Sequence, residues 1–201
     1  MPVRLLAKLL GLLNSFSRAL GQIVRLMTRS LYACLNPAYC SEEHWAAVTS
    51  LSDSAKEDLQ FWESNIEKLN GFAITPIIPL ITKCEVIAGD ASGEGLYAAH
   101  FSGVNNTVYS RKLTLSEQSK SSTYREFLVI LGIYTDSHSP ISSLKGKQVL
   151  HLTDDKGVVS IFTIGSPKPA LQAMALKVYM VANSLGMKLF FSWKSRDDPT
   201  M

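Results

Sequence analysis

Three acidic residues stand where carboxylates can work together. Asp90 ends a strand-like run, Glu126 falls in the first turn of a helix-like run, and Asp154 ends another strand-like run, with separations of 36 and 28 residues. Strand ends and helix starts gather along one edge of a mixed sheet, so acids placed this way can converge. Converging carboxylates repel one another unless a cation neutralises them, and hard oxygen donors suit Mg²⁺ or Mn²⁺. Two such ions roughly 3.5–4 Å apart activate a water and stabilise the departing oxygen of a phosphodiester. Taken singly, each acid reads better as the cap of a turn or helix; the joint placement favours a metal group.

Other candidate chemistry is weaker. Gly93-Glu94-Gly95 opens a strand rather than a helix, which makes it a hairpin turn and not a phosphate loop. Thr153-Asp154-Asp155 has Leu152 where the paired aspartates of a polymerase palm need an aromatic residue, and helix-like residues follow it. Cys34, Cys40 and Cys84 cannot all pair within the chain, and the first two are too far apart for a Cys-x-x-Cys hook. His44, His100, His138 and His151 are scattered, without metal-ligand spacing, and are expected at the surface or half-buried. Cysteine usage points to a reduced, intracellular protein, cytoplasmic or nuclear.

The elements that must position the acids are read from residue 72 onward. Pro76 and Pro79 mark a linker, and residues 83–90 form a first strand. Turns at Gly93 and Gly95 and at residues 103–106 lead to strands over 96–101 and 107–115. Ser121-Ser122-Thr123 caps a helix over 124–134, with Phe127, Leu128 and Leu131 on its inner side. A fourth strand (148–153), a short helix (156–164), a longer helix (170–185) and a fifth strand (187–193) follow. The order β-β-β-α-β-α-α-β predicts an α/β fold with a mixed five-stranded sheet and helices on its faces.

The first 71 residues have a different texture. The chain has 201 residues, 46% hydrophobic and 18% charged, enough for one domain plus an attached helical piece and too apolar for disorder. Five of its 20 basic residues (Arg4, Lys8, Arg18, Arg25, Arg29) precede Glu42, the first of its 17 acids, so a basic leader is joined to a slightly acidic body. Those five, with Gly11, Ser15 and Gln22, form one polar or small stripe at helical spacing. Leu6, Leu9, Leu13, Leu20, Ile23 and Met27 lie away from it, on one helix or on two broken near Gly21. The stripe reads either as the solvated edge of a packed helix or as a track for a polyanion, with Arg18, Arg25 and Arg29 as nucleic-acid contacts. Arg18 and Arg25 rule out a membrane span, and no apolar run with a cleavage site makes a signal peptide. A mitochondrial presequence shares the leader's basic, serine-containing, acid-free composition and stays open. Residues 41–71 continue as a helical unit. Ser52-Asp53-Ser54 starts its helix, Asn70-Gly71 stops it, and Trp45 and Trp62 are read as core.

Taken together, Ala88-Gly89-Asp90-Ala91-Ser92, Ser122-Thr123-Tyr124-Arg125-Glu126-Phe127 and Leu152-Thr153-Asp154-Asp155-Lys156 resemble the type-1 ribonuclease H signature. More narrowly, the chain resembles the ribonuclease H domain of DIRS-type retrotransposon reverse transcriptases. Gly165-Ser166 and Phe191-Ser192-Trp193-Lys194-Ser195-Arg196 are similar to that group as well. Residues 20–25 and 59–66 resemble the helical thumb or connection that precedes it. The resemblance implies a ribonuclease H-like domain over 80–201, truncated at its C-terminus, behind a thumb- or connection-like segment over 1–71. Asp90, Glu126 and Asp154 would be three of four carboxylates binding two Mg²⁺ (or Mn²⁺) ions that cleave the RNA strand of an RNA–DNA hybrid. Asp155 stands where the family more often has Asn or Ser. The fourth acid, commonly in an Ala-Asp pair beyond the Trp-x-x-Arg stretch, would fall past Met201, and Asp197 and Asp198 come too early. The polymerase fingers and palm of the parent polyprotein are missing, and no membrane partner is implied. Two other readings compete: a catalytically dead nucleic-acid-binding relic, and another ribonuclease-H-like core such as a resolvase or transposase.

Overall fold

In the computed structural model, residues 1–39, 44–69, 84–92, 95–102 and 106–195 are described. The expected stop at Asn70-Gly71, the linker prolines Pro76 and Pro79, Lys83, Cys40, Arg196, Asp197 and Asp198 lie outside those residues. So do the turn residues Gly93, Glu94, Gly103, Val104 and Asn105. The chain divides into two units, Met1–Ile77 and Ile78–Met201.

In the first unit, α1 (Val3–Ser15) buries Val3, Leu6, Leu10 and Leu13, which share one helical face. Arg4, Lys8, Gly11 and Ser15 are exposed, as expected of the stripe. The stripe does not run along one or two rods, however. α2 (Ser17–Leu20) ends at Gly21, whose φ of +68° suits glycine; α3 (Ile23–Leu26) follows, and α4 (Arg29–Tyr39) begins after Met27-Thr28. Each break resets the helical phase. The buried set therefore becomes Ile23, Val24, Leu26, Met27 and Leu31, while Leu9 and Leu20 are only half-buried. α5 (Asp53–Leu69) starts where Ser52 Oγ accepts the Ala55 N–H at 3.2 Å. Its inner face carries Ala55, Asp58, Trp62 and Leu69. The Trp62 indole N–H donates to the Met27 carbonyl at 2.8 Å, and the Asp58 carboxylate accepts the Ser30 N–H at the start of α4 at 3.1 Å. Trp45 corrects the sequence reading: it lies in a one-turn 3-10 helix (His44–Ala46), where a 3.6-residue period has no meaning, and is 50% exposed.

In the second unit, β1 (Cys84–Ala91), β2 (Leu96–Phe101) and β3 (Thr107–Lys112) form an antiparallel meander. β4 (Gln148–Thr153) pairs with β1 and β5 (Lys188–Trp193) with β4, both in parallel, giving the order β3-β2-β1-β4-β5. The third strand stops at Lys112 rather than at 115, because Thr114 caps a short helix, α6 (Leu115–Gln118). Thr114 Oγ1 accepts the Glu117 N–H at 3.3 Å, and the Glu117 carboxylate accepts the Thr114 N–H at 2.7 Å, a reciprocal capping box. α7 (Ser122–Thr135) starts on Ser121 and packs on β1, β2 and the later helix α9 (Pro169–Ser184). α8 (Lys156–Ile164) lies between β4 and α9 in the chain and packs on β5. Gly89 allows α7 to approach β1 closely, since a Cβ there would meet Val129 Cγ1 at 3.0 Å.

The two faces of the sheet bury different sets. On the α7 side Phe127, Phe162 and Phe191 stack with centroids 4.7 and 3.7 Å apart, and His151 stacks on Phe191 at 4.9 Å. On the other side Leu150, Leu152 and Phe190 meet Cys84, Val86 and Ala88. His151 is thus a core residue, against the expectation of a surface or half-buried one. It is 2% exposed, lies 2.8 Å from the Tyr134 hydroxyl, and burial pushes its pKa down to about 3. Among the described residues no helix is long and apolar enough to cross a membrane.

Candidate metal centre

Sheet register brings the first two acids together. β1 and β4 run parallel with Ala88 opposite Leu152, so continuing both strands by two residues sets Asp90 beside Asp154 at the same sheet edge. Glu126 reaches that edge from the second turn of α7, not the first as expected, because the helix already begins at Ser122; its Oε1 accepts the Ala91 N–H at 3.0 Å. Asp90, Glu126 and Asp154 each offer one carboxylate oxygen, and the three oxygens all lie within 4.8 Å of one another. The other nominated residues, Arg18, Arg25 and Arg29, lie in the first unit on α2, α3 and α4; Arg18 and Arg25 are exposed and Arg29 is half-buried.

Burial is graded across the three acids: Asp90 is exposed, Asp154 half-buried and Glu126 only 5% exposed. A small cavity lined by Gly89, Glu126, Val129, His151, Leu152 and Thr153 lies between the sheet and α7. Desolvation first, then a hydrogen bond with Asp90 and the charges of Asp90 and Asp154, together push the Glu126 carboxyl up to about 8, against the Ala91 hydrogen bond that favours its ionised form. Hard oxygen donors at this separation match what Mg²⁺ or Mn²⁺ requires of a protein, and a cation bound there would favour the ionised form of Glu126.

Asp155, next in sequence to Asp154, is engaged elsewhere. Its Oδ1 accepts the Gly157 and Val158 N–H groups at 2.6 and 3.2 Å as the N-cap of α8, and its Oδ2 accepts the Thr123 hydroxyl at 2.8 Å. It ties the start of α7, which carries Glu126, to the start of α8, which follows Asp154. Trp193, which the sequence offered only as part of a resembling motif, also touches the site. β5 pairs with β4 so that Trp193 faces Thr153, and its indole N–H donates to the Asp154 carbonyl at 2.9 Å. The signal was present in the register of two parallel strands ending together, but register is not readable from one sequence.

No family model matches the chain, and no curated protein matches it. Among solved structures it is similar to LC11-RNase H1 in complex with an RNA/DNA hybrid, at 13% identity over 56% of this chain and 86% of that one, with a TM-score of 0.45. It is similar also to the N-terminal RNase H domain of a Mycobacterium tuberculosis protein fused to maltose-binding protein (14% identity, 58% of this chain, 86% of that one, TM-score 0.40). The foamy viral protease-reverse transcriptase dRH in complex with double-stranded DNA matches at 13% identity over 96% of this chain and 32% of that one, with a TM-score of 0.40. The ribonuclease H-like fold of the second unit rests on its own strand order and connectivity: an antiparallel meander β1 to β3, extended in parallel from β1 by β4 and β5.

Proposed function

We propose that the chain hydrolyses the RNA strand of RNA–DNA hybrids, with Asp90, Glu126 and Asp154 holding Mg²⁺ or Mn²⁺. The observation that supports this most is the meeting of three carboxylates from three separate elements, with their oxygens within 4.8 Å. Bound there, divalent ions would supply an activated water and charge stabilisation for the departing oxygen. The protein's own part is positioning. Asp90 is exposed, so that an ion held there would be within reach of an incoming phosphodiester, Glu126 is fixed by the Ala91 N–H, and Asp154 is steadied through its carbonyl by Trp193. The hybrid as substrate, and an origin in a DIRS-type reverse transcriptase polyprotein, follow from the resemblance of the three acid-bearing motifs and of the helical segment before them.

Incubating the chain with an end-labelled RNA–DNA hybrid at millimolar Mg²⁺ or Mn²⁺ tests the reading. Endonucleolytic RNA products should accumulate, and Asp90→Asn should lower their rate by more than about 100-fold, at least the loss seen when a group supporting a metal ligand is removed. Salt-sensitive hybrid binding without turnover would instead fit a non-catalytic relic, and preference for DNA junctions a resolvase-like core.

A further inference from the structure

Lys156 is the first residue of α8, two residues after Asp154, and its ammonium lies 4.5 Å from the centroid of the Trp193 ring. Trp193 is 44% exposed, and its indole N–H is the group that holds the Asp154 carbonyl. One ring is thus tied by its edge to the backbone of a site carboxylate and carries a cation on its face. An exposed lysine ordinarily spreads over many rotamers, whereas an ammonium over an indole is held in place. Among the described residues this ammonium enters no ion pair, and the adjacent Asp155 carboxylate is engaged by Thr123, Gly157 and Val158. A polyanion approaching three carboxylates meets repulsion, and a fixed positive charge at their rim offsets it.

We propose that Lys156, held by Trp193, contacts a backbone phosphate of the nucleic-acid strand entering the Asp90–Glu126–Asp154 site. Lys156 is the substrate contact and Trp193 its positioning residue. The inference rests on the nuclease reading for its choice of ligand, but its test reads binding rather than turnover.

The probe is a short RNA–DNA hybrid, with Ca²⁺ replacing Mg²⁺ so that the carboxylates are neutralised by a cation of looser geometry. Affinity is followed against salt concentration. Lys156→Gln should flatten the log–log salt slope by about 0.9, so that over a roughly tenfold rise in salt the unsubstituted chain loses about eightfold more affinity than the variant. Trp193→Phe, which keeps a ring beneath the ammonium, should retain most of that slope. Trp193→Leu should flatten it as Lys156→Gln does, and combining the two should flatten it no further. An unchanged slope in Lys156→Gln overturns the contact, a full slope in Trp193→Leu overturns the positioning role, and absence of hybrid binding by the unsubstituted chain overturns both. Cleavage assayed in parallel separates this inference from the nuclease reading. A chain that never cuts hybrids but shows the slope change refutes only the hydrolysis; one that cuts them with an unchanged slope refutes only the contact.

Discussion

Glu126 is where function and stability pull hardest against each other. Its carboxyl is buried beside Asp90 and Asp154 and keeps its proton up to about pH 8, while the ordinary value is 4.5. A group whose pKa is raised on folding contributes stability that is fully present below its unfolded value and is lost as pH rises through the folded one. The metal-free chain should therefore weaken between about pH 4.5 and pH 8. Glu126→Gln keeps the shape and abolishes the titration. In EDTA near neutral pH it should raise unfolding stability by something on the order of 1–3 kcal/mol and flatten the pH dependence, while removing cleavage. Urea unfolding across a pH series checks this, and a variant no more stable than the parent at about pH 8 would show that neither burial nor the neighbouring acids hold Glu126 protonated.

The element that carries Glu126 is placed by small residues on its contact faces. Gly89 of β1 admits Val129, and Gly132 of α7 leaves room for Tyr97, since a Cβ at Gly132 would clash with the Tyr97 hydroxyl and lie 3.2 Å from that of Tyr109. Those hydroxyls are not free to move aside. They sit 3.2 Å apart, and Tyr109 donates to Asp136 at 2.7 Å, where further hydrogen bonds from His138 hold the Asp136 carboxyl down at about 2. Gly132→Ala should cost about 1–3 kcal/mol in urea unfolding, the usual effect of overpacking, and an unaltered midpoint would mean that α7 has slack on β2. The sequence disclosed the acids at β1, α7 and β4 because strand ends and helix caps have local signals: apolar runs, turn residues, Ser121 before the helix. It disclosed less where the deciding contact is distant. His151 is a polar residue in a strand buried on both faces, accommodated by the distant Tyr134 and Phe191. Thr114-Leu115-Ser116-Glu117 did carry a capping signature for α6, but strand-like neighbours masked it.

On the scale of the whole chain, charge is divided unevenly, with five basic residues and no acid before Glu42. The local breaks at Gly21 and at Met27-Thr28 place Arg18, Arg25 and Arg29 on successive short helices, so a polyanion cannot be read as lying along one straight edge. If Arg18 and Arg25 contact phosphates, replacing both with Gln should lower the salt slope of hybrid binding by about 1.8, with saturating single-turnover cleavage unchanged. An unaltered slope would leave them as a solvated edge. Hydrolysis requires that Asp90, Glu126 and Asp154 grip a shared divalent cation. Mn²⁺ titrated into the chain and followed by electron paramagnetic resonance tests this directly. Binding should be saturable, and Asp154→Asn should weaken it by about tenfold or more. Binding that survives this substitution unweakened, or no saturable binding by the unsubstituted chain, would contradict it.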